Sequence, residues 1–288
     1  MVKNELLPAN SDMGAVTLWV ADLELMLKYY RDVIGLKVLS ELGNKIILGH
    51  ENRKILILEH KVGLKNASPS DAGLFHTAIL FQTQAALAKT VYKVIKAFPA
   101  SFTGSADHLV SKAFYFNDPE GNGVELYWDR DRSEWSWVHG SIEMDTIFLD
   151  PNEFLKENLV EGEVEEGKKV GHVHLSVGSI PAAEEFYVKM LGFEKTLNWG
   201  GAALFVSAGG YHHHMAMNTW RSKGAGKRQL ALGLGKVEII LDSQDQVLET
   251  KERLNFYGLE SNLDSGIARV EDPWGNVISL QSRIPTAS

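Results

Sequence analysis

The 288-residue chain has no cysteine. Disulfides and thiolate ligands are thereby excluded, and any metal has to be held by His, Asp or Glu. Long apolar runs are missing as well: none reaches the ~18 residues of a transmembrane helix, and the opening "MVKNELLPANSD" does not read as a signal peptide. Positive charge is in deficit, with a formal net charge of −8, which argues against nucleic acid or an anionic membrane as the main partner. The cytoplasm is the expected address. The length suffices for two domains, or one large one, with a sizeable core.

What is present is a repeat. "GAVTLWVADLELMLKYYRDVIGLKV" (14–38) and "GHVHLSVGSIPAAEEFYVKMLGFEK" (171–195) align without a gap, matching Val16 with Val173, Tyr30 with Tyr187 and Gly35 with Gly192. Each reads as an alternating strand, then a helix with aromatic residues on its inner face, then a glycine at the helix end. A second pair is "DPEGNGVEL" (118–126) and "DPWGNVISL" (272–280), downstream of two further strand-helix openings at 75–98 and 235–258. The chain thus divides into four βαβββ modules, roughly 14–60, 74–128, 170–220 and 234–282. The expected organisation is an N-terminal half (12–130, modules one and two), a connector (131–169) and a C-terminal half (170–284, modules three and four). The connector reads as a short helix around "DPNEFLKENLV" followed by a solvated acidic run.

One stretch, "HLVSKAFYFNDPEGNGVELY" (108–127), concentrates polar groups between two apolar strands. Its turn residues have distinct uses: Asp118 and Asn122 for side-chain bonds to the backbone, Gly121 and Gly123 for positive φ. Glu125 then lies in an apolar run, where a carboxylate is costly without a positive partner. The plain reading puts Glu125 on the wet face of a hairpin; the sharper one makes it a metal ligand.

Four βαβββ modules in a chain of this length resemble the vicinal-oxygen-chelate superfamily of glyoxalases, bleomycin-resistance proteins and type I extradiol dioxygenases. The resemblance covers nearly the whole chain. It implies an α+β fold in which the four modules form two curved mixed sheets, with a divalent metal held by residues on the first and last strands of a module. The first-strand positions are Ala15, His76, His172 and Lys236, and the last-strand positions are Glu125 and Ser279. Every good ligand therefore belongs to modules two and three: His76, Glu125 and His172. Two His and one carboxylate are the facial triad of a non-haem Fe(II) oxygenase. For these three to share one metal, module two has to pack against module three.

The stretches "SAGGYHHH" and "DPEGNGVE" add a likeness to bacillary catechol 2,3-dioxygenases. That likeness implies an acid-base His at His213, three residues before Ala216, a substrate-binding Tyr115, and His108, which "HLVSKAF" supplies on a shorter segment than the family's. His212 and His214 stay open as the inward residue. The implied reaction is Fe(II)-dependent cleavage of a catechol with O₂ to a 2-hydroxymuconic semialdehyde, with Mn, Ni or Zn able to stand in for iron in purified protein. The implied partners are a small aromatic diol and O₂, with no nucleic acid and no membrane; a homo-oligomer stays open. Two alternatives remain. A glyoxalase-type isomerase would use two glutamates, and Glu125 is the one carboxylate at the matching strand ends; a bleomycin-resistance-like binder would need no metal triad at all. His50, His60, His139 and His174 are assigned to surface or structural roles, and Trp128, Trp135 and Trp137 to packing.

Overall fold

The computed structural model describes residues 6–164 and 167–283. Residues 165 and 166, in the acidic run, and 284, the end of the expected C-terminal half, lie outside the described residues. The first module comprises β1 (Asp12–Val20), α1 (Leu23–Lys28), β2 (Lys37–Leu42), β3 (Lys45–His50) and β4 (Arg53–His60). The second has β5 (Gly73–Phe81), α2 (Gln84–Ala97), β6 (Phe102–Asp107), β7 (Ser111–Asn117) and β8 (Gly123–Asp129). The connector carries the short strands β9 (Trp137–Val138), β10 (Ser141–Ile142) and β11 (Ile147–Phe148), then α3 (Pro151–Asn158). The third module follows with β12 (Lys168–Ser176), α4 (Ile180–Glu184), β13 (Glu194–Trp199), β14 (Ala203–Ser207) and β15 (Met215–Asn218). The fourth has β16 (Gly233–Leu241), α5 (Gln244–Phe256), β17 (Asn262–Asp264), β18 (Ile267–Glu271) and β19 (Val277–Ser282).

Local chemistry explains where the helices begin. Asp22, Thr83, Ser179 and Ser243 each accept a backbone N–H of the first turn through the side chain, satisfying donors that a helix start leaves open. Ser243 adds a capping box with Gln246. Both helices of the aligned repeat loosen into π-helical turns, Tyr29–Val33 and Glu185–Met190. Tyr29, Tyr30, Phe186 and Tyr187 lie in those turns and are almost fully buried.

The strands form two large mixed sheets. One has eight strands in the order β17-β18-β19-β16-β1-β4-β3-β2, the other nine in the order β11-β6-β7-β8-β5-β12-β15-β14-β13. Strands pair antiparallel along each meander, while the first strand of a module runs parallel to its last: β5 with β8, β12 with β15 and β16 with β19. That arrangement needs a helical crossover between the parallel pair, which is what α2, α4 and α5 supply. The result is a mixed α+β fold built of two curved mixed sheets, as the family resemblance implied.

By compactness the chain resolves into two units, the described parts of 18–64 with 75–171 and the described parts of 1–17, 65–74 and 172–288. Each contains the same tie between helix and turn. In the first unit Tyr30 Oη donates to Asp118 at 2.8 Å; in the second Tyr187 Oη donates to Asp272 at 2.9 Å. Among the described residues no helix is long and apolar enough to cross a membrane.

Candidate metal centre

The turn of residues 118–123 fixes where Glu125 goes. Asp118 N donates to the Asn122 carbonyl and Gly121 N to the Asp118 carbonyl, closing the loop. The Asp118 carboxylate takes the backbone N–H groups of Glu120 and Asn122 (3.0 and 2.9 Å) and the Asn122 amide (2.9 Å), besides the Tyr30 hydroxyl. Burial pushes its pKa up to about 6, and the hydrogen bonds from Asn122 and Tyr30 work against that rise. Asn122 is thus committed to the turn through its amide nitrogen. Gly121 takes the positive φ of 87° that the sequence suggests. Gly123 does not; its reason is close approach, since a Cβ there would lie 2.1 Å from the Phe75 carbonyl oxygen and 3.0 Å from His76 Cβ. Without a side chain at 123, β8 lies flat against β5 with Ala78 opposite Glu125.

Glu125 is 2% exposed, which removes the wet-face reading. Its Oε2 is 2.9 Å from His76 Nε2. In strand order β5 is followed by β12, which carries His172. His76, Glu125 and His172 each offer one ligand atom, and these atoms all lie within 4.8 Å of one another. Bonds of ~2.0–2.2 Å to a shared metal allow ligand atoms up to ~4.4 Å apart, a difference that slight side-chain rotation closes. All three side chains are buried, and the donor set of two imidazoles and one carboxylate suits a divalent transition metal with positions left for exogenous ligands. The residues present fit such an ion.

The three other singled-out residues fall into two clusters. Tyr115, opposite Glu125 on β7, has its ring 5.7 Å from that of His76. Burial and the neighbouring Glu125 charge push its pKa up, so it is held as the neutral phenol. His108 Nε2 is 2.6 Å from Tyr115 Oη, and His108 Nδ1 is 2.7 Å from the Asp145 carbonyl. A carbonyl only accepts, so Nδ1 donates to Asp145, while the Tyr115 hydroxyl lies between His108 Nε2 and the Glu125 carboxylate. The shortened segment does not displace His108 from Tyr115; the tight turn places Leu109 at φ 70°, unusual for a non-glycine residue. The anchoring carbonyl of Asp145 comes from the connector and had no sequence signal.

His213 belongs to the second cluster. Its ring centroid is 4.1 Å from that of His172 and 5.1 Å from Phe205. His212 is farther from His172, at 6.2 Å, and His214 Nδ1 is engaged by Ser207 Oγ and the Ala208 N–H at 3.0 and 3.2 Å. A solvated turn is ruled out, because all three histidines are buried. His174 is buried too, with Nε2 3.0 Å from Asn218 Nδ2. Of the tryptophans, Trp135 is buried and Trp137 exposed.

The equivalent positions of the eight-stranded sheet are closed differently. Ser279 pairs with Glu238 on β16, where the other sheet pairs Glu125 with Ala78. Glu238 is buried and meets Lys236 Nζ at 2.8 Å, Gln281 Nε2 at 2.9 Å and the Ala15 N–H at 3.3 Å. The protein's own ion pair occupies this position. Sequence comparison of ligand positions alone passed over Glu238.

The family model described as the glyoxalase/bleomycin resistance protein/dioxygenase superfamily matches residues 13–126 and 169–280. A catechol-2,3-dioxygenase of Bacillus subtilis (strain 168) is 33% identical over 276 residues, covering 92% of this chain and 94% of that protein. Biphenyl-2,3-diol 1,2-dioxygenase 2 of Rhodococcus globerulus is 29% identical over 124 residues, 42% of this chain and 64% of that protein. Among solved structures, glyoxalase I of Zea mays superimposes with a TM-score of 0.57 at 16% identity, covering 94% of this chain and 92% of that one, a likeness of fold alone. Two βαβββ pairs, a buried His-Glu-His group and matches over both halves agree: the chain belongs to the glyoxalase/bleomycin resistance protein/dioxygenase superfamily.

Proposed function

We propose that the protein is an extradiol ring-cleaving dioxygenase, in which His76, Glu125 and His172 hold Fe(II) and the substrate is a small catechol opened with O₂ to a 2-hydroxymuconic semialdehyde. The observation that carries this reading is the buried His76–Glu125–His172 group with the His213 ring packed against His172. The full-length likeness to a catechol-2,3-dioxygenase supports it independently. Bound iron would supply Lewis acidity to the diol and adjacent positions for diol and O₂.

The chain's own groups divide the remaining work. His213 takes a proton from the reacting oxygens and returns it, a task suited to an imidazole because its pKa lies near neutrality. Tyr115, kept neutral by burial and Glu125, hydrogen-bonds the substrate oxygen. His108 holds the Tyr115 hydroxyl in place and is itself pinned to the Asp145 carbonyl, so the pair stands pre-oriented before substrate arrives. Tyr115 packs against the buried Ala78, Ala113 and Tyr127.

The test is anaerobic loading of the apoprotein with Fe(II), followed by catechol and air-saturated buffer. A yellow ring-fission product that forms with Fe(II) and is absent with Zn²⁺ is the expected result. Equal activity with Zn²⁺, or turnover of hemithioacetals with none of catechols, would remove the dioxygenase assignment.

A further inference from the structure

Two adjacent buried imidazoles face one another directly in front of β15. His212 Nδ1 lies 2.7 Å from His213 Nδ1, with His212 fully buried and His213 6% exposed. Two imidazole nitrogens approach this closely only when one carries hydrogen and the other a lone pair; two lone pairs or two N–H groups would repel. Both rings are packed on other rings. The His212 ring lies against Tyr211 at 4.1 Å, and the Thr196 hydroxyl anchors the backbone here by donating to the His212 carbonyl at 2.7 Å. The His213 ring is wedged between His172 and the edge of Phe205.

The geometry points to His212 as a positioning residue for His213. This rests on the dioxygenase reading above, in which His213 is the acid-base group. An imidazole can flip about its Cβ–Cγ bond and present either nitrogen to a substrate. By engaging Nδ1, His212 fixes the ring's orientation and leaves Nε2 as the nitrogen that exchanges the proton. Run lengths of histidine in the sequence hide this division of labour: His214 serves Ser207 and the Ala208 N–H at the end of β14, His212 serves His213, and His213 serves the reaction. The role differs from that of the proposed ligands, because His212 is one residue removed from the reacting atoms.

The experiment compares wild type, His212→Phe and His212→Asn. Phe keeps a ring against Tyr211 and removes the hydrogen bond; the Asn amide places a hydrogen-bonding atom near where Nδ1 stands. Nitrogen-15 spectra of the metal-free, histidine-labelled proteins read the His213 tautomer without any turnover. Wild type and His212→Asn are expected to show one His213 tautomer with a hydrogen-bonded Nδ1, and His212→Phe a mixture. With Fe(II), His212→Phe should keep its metal and its KM for catechol while kcat falls ~10- to 10²-fold, the scale of a misoriented catalytic group. His212→Asn should recover most of that loss. Unchanged kcat in both variants, or equal loss in both with a single His213 tautomer throughout, overturns the proposal. A wild type that opens no catechol, yet loses its fixed tautomer in His212→Phe, would sink the dioxygenase reading and leave the orientation of His213 by His212 standing.

Discussion

Removing one hydroxyl, in Tyr30→Phe, should destabilise the protein by an amount that depends on pH, and Asp118 sets the sign. The Tyr30 hydroxyl donates to Asp118 at 2.8 Å, and Asp118 is 4% exposed. Burial lifts the Asp118 pKa from 3.8 to about 6. The folded value lies above the unfolded one, so the native state binds more protons across that window. Stability from this group is fully present below 3.8 and is lost as pH rises through about 6. At ~1.4 kcal/mol per pKa unit the loss comes to ~3 kcal/mol. The Tyr30 bond opposes it by favouring the ionised carboxylate, so Tyr30→Phe pushes the pKa higher still. Above neutrality the variant forfeits a bond to a charge, ~1.5–3 kcal/mol; in acid it forfeits a neutral bond, ~0.5–1.5 kcal/mol. Urea midpoints at about pH 8 and about pH 4.5, with chelator present to keep metal linkage out, measure the difference. The deficit should be ~1 kcal/mol larger at the higher pH, and Asp118→Asn should abolish the contrast. An equal deficit at both pH values, or a larger one in acid, would refute the reasoning.

Glu125→Ala should lose the metal, read by elemental analysis after dialysis, whereas His213→Phe should retain it and lose turnover by ~10²-fold or more. Metal loss in His213→Phe would instead make that residue a ligand. Gly123→Ala drives a Cβ onto the Phe75 carbonyl, where backbone rather than a flexible side chain has to yield. A cost of at least ~1–3 kcal/mol is expected, visible as a lower thermal midpoint, together with weaker metal affinity as β8 is pushed from β5. A variant with wild-type melting would show that the close approach is not required.

The four modules were legible because each strand-helix opening carries its own periodicity and two of them align without a gap. The turn at 118–123 was legible for the same reason, since its residue types have few other uses. What escaped was pairing over distance. The repeat matches Tyr30 with Tyr187 and Asp118 with Asp272, yet nothing local says that each tyrosine hydroxyl ends on an aspartate more than eighty residues away. Gly123 was misread because a glycine needed for positive φ and one needed for close approach look alike in a sequence. The histidine run resisted reading because alternation governs side chains inside a strand, and β15 begins only at Met215, after all three.

The two sheets carry the same problem at equivalent positions and solve it in different ways. A carboxylate buried beside a parallel pair of strands has to be matched by positive charge or by several hydrogen bonds. In the eight-stranded sheet the carboxylate sits on the first strand, as Glu238, and Lys236 together with Gln281 and a backbone N–H meets it from within the chain. In the nine-stranded sheet it sits on the last strand, as Glu125, with Ala78 opposite and His76 at 2.9 Å. An imidazole brings a full positive charge only when protonated, and a protonated imidazole cannot ligate a metal. A divalent cation held by His76 and Glu125 would supply here the positive charge that Lys236 supplies in the other sheet. On this account the exchange of alanine for glutamate on the first strand, and of glutamate for serine on the last, separates a position completed from outside from one the chain completes itself.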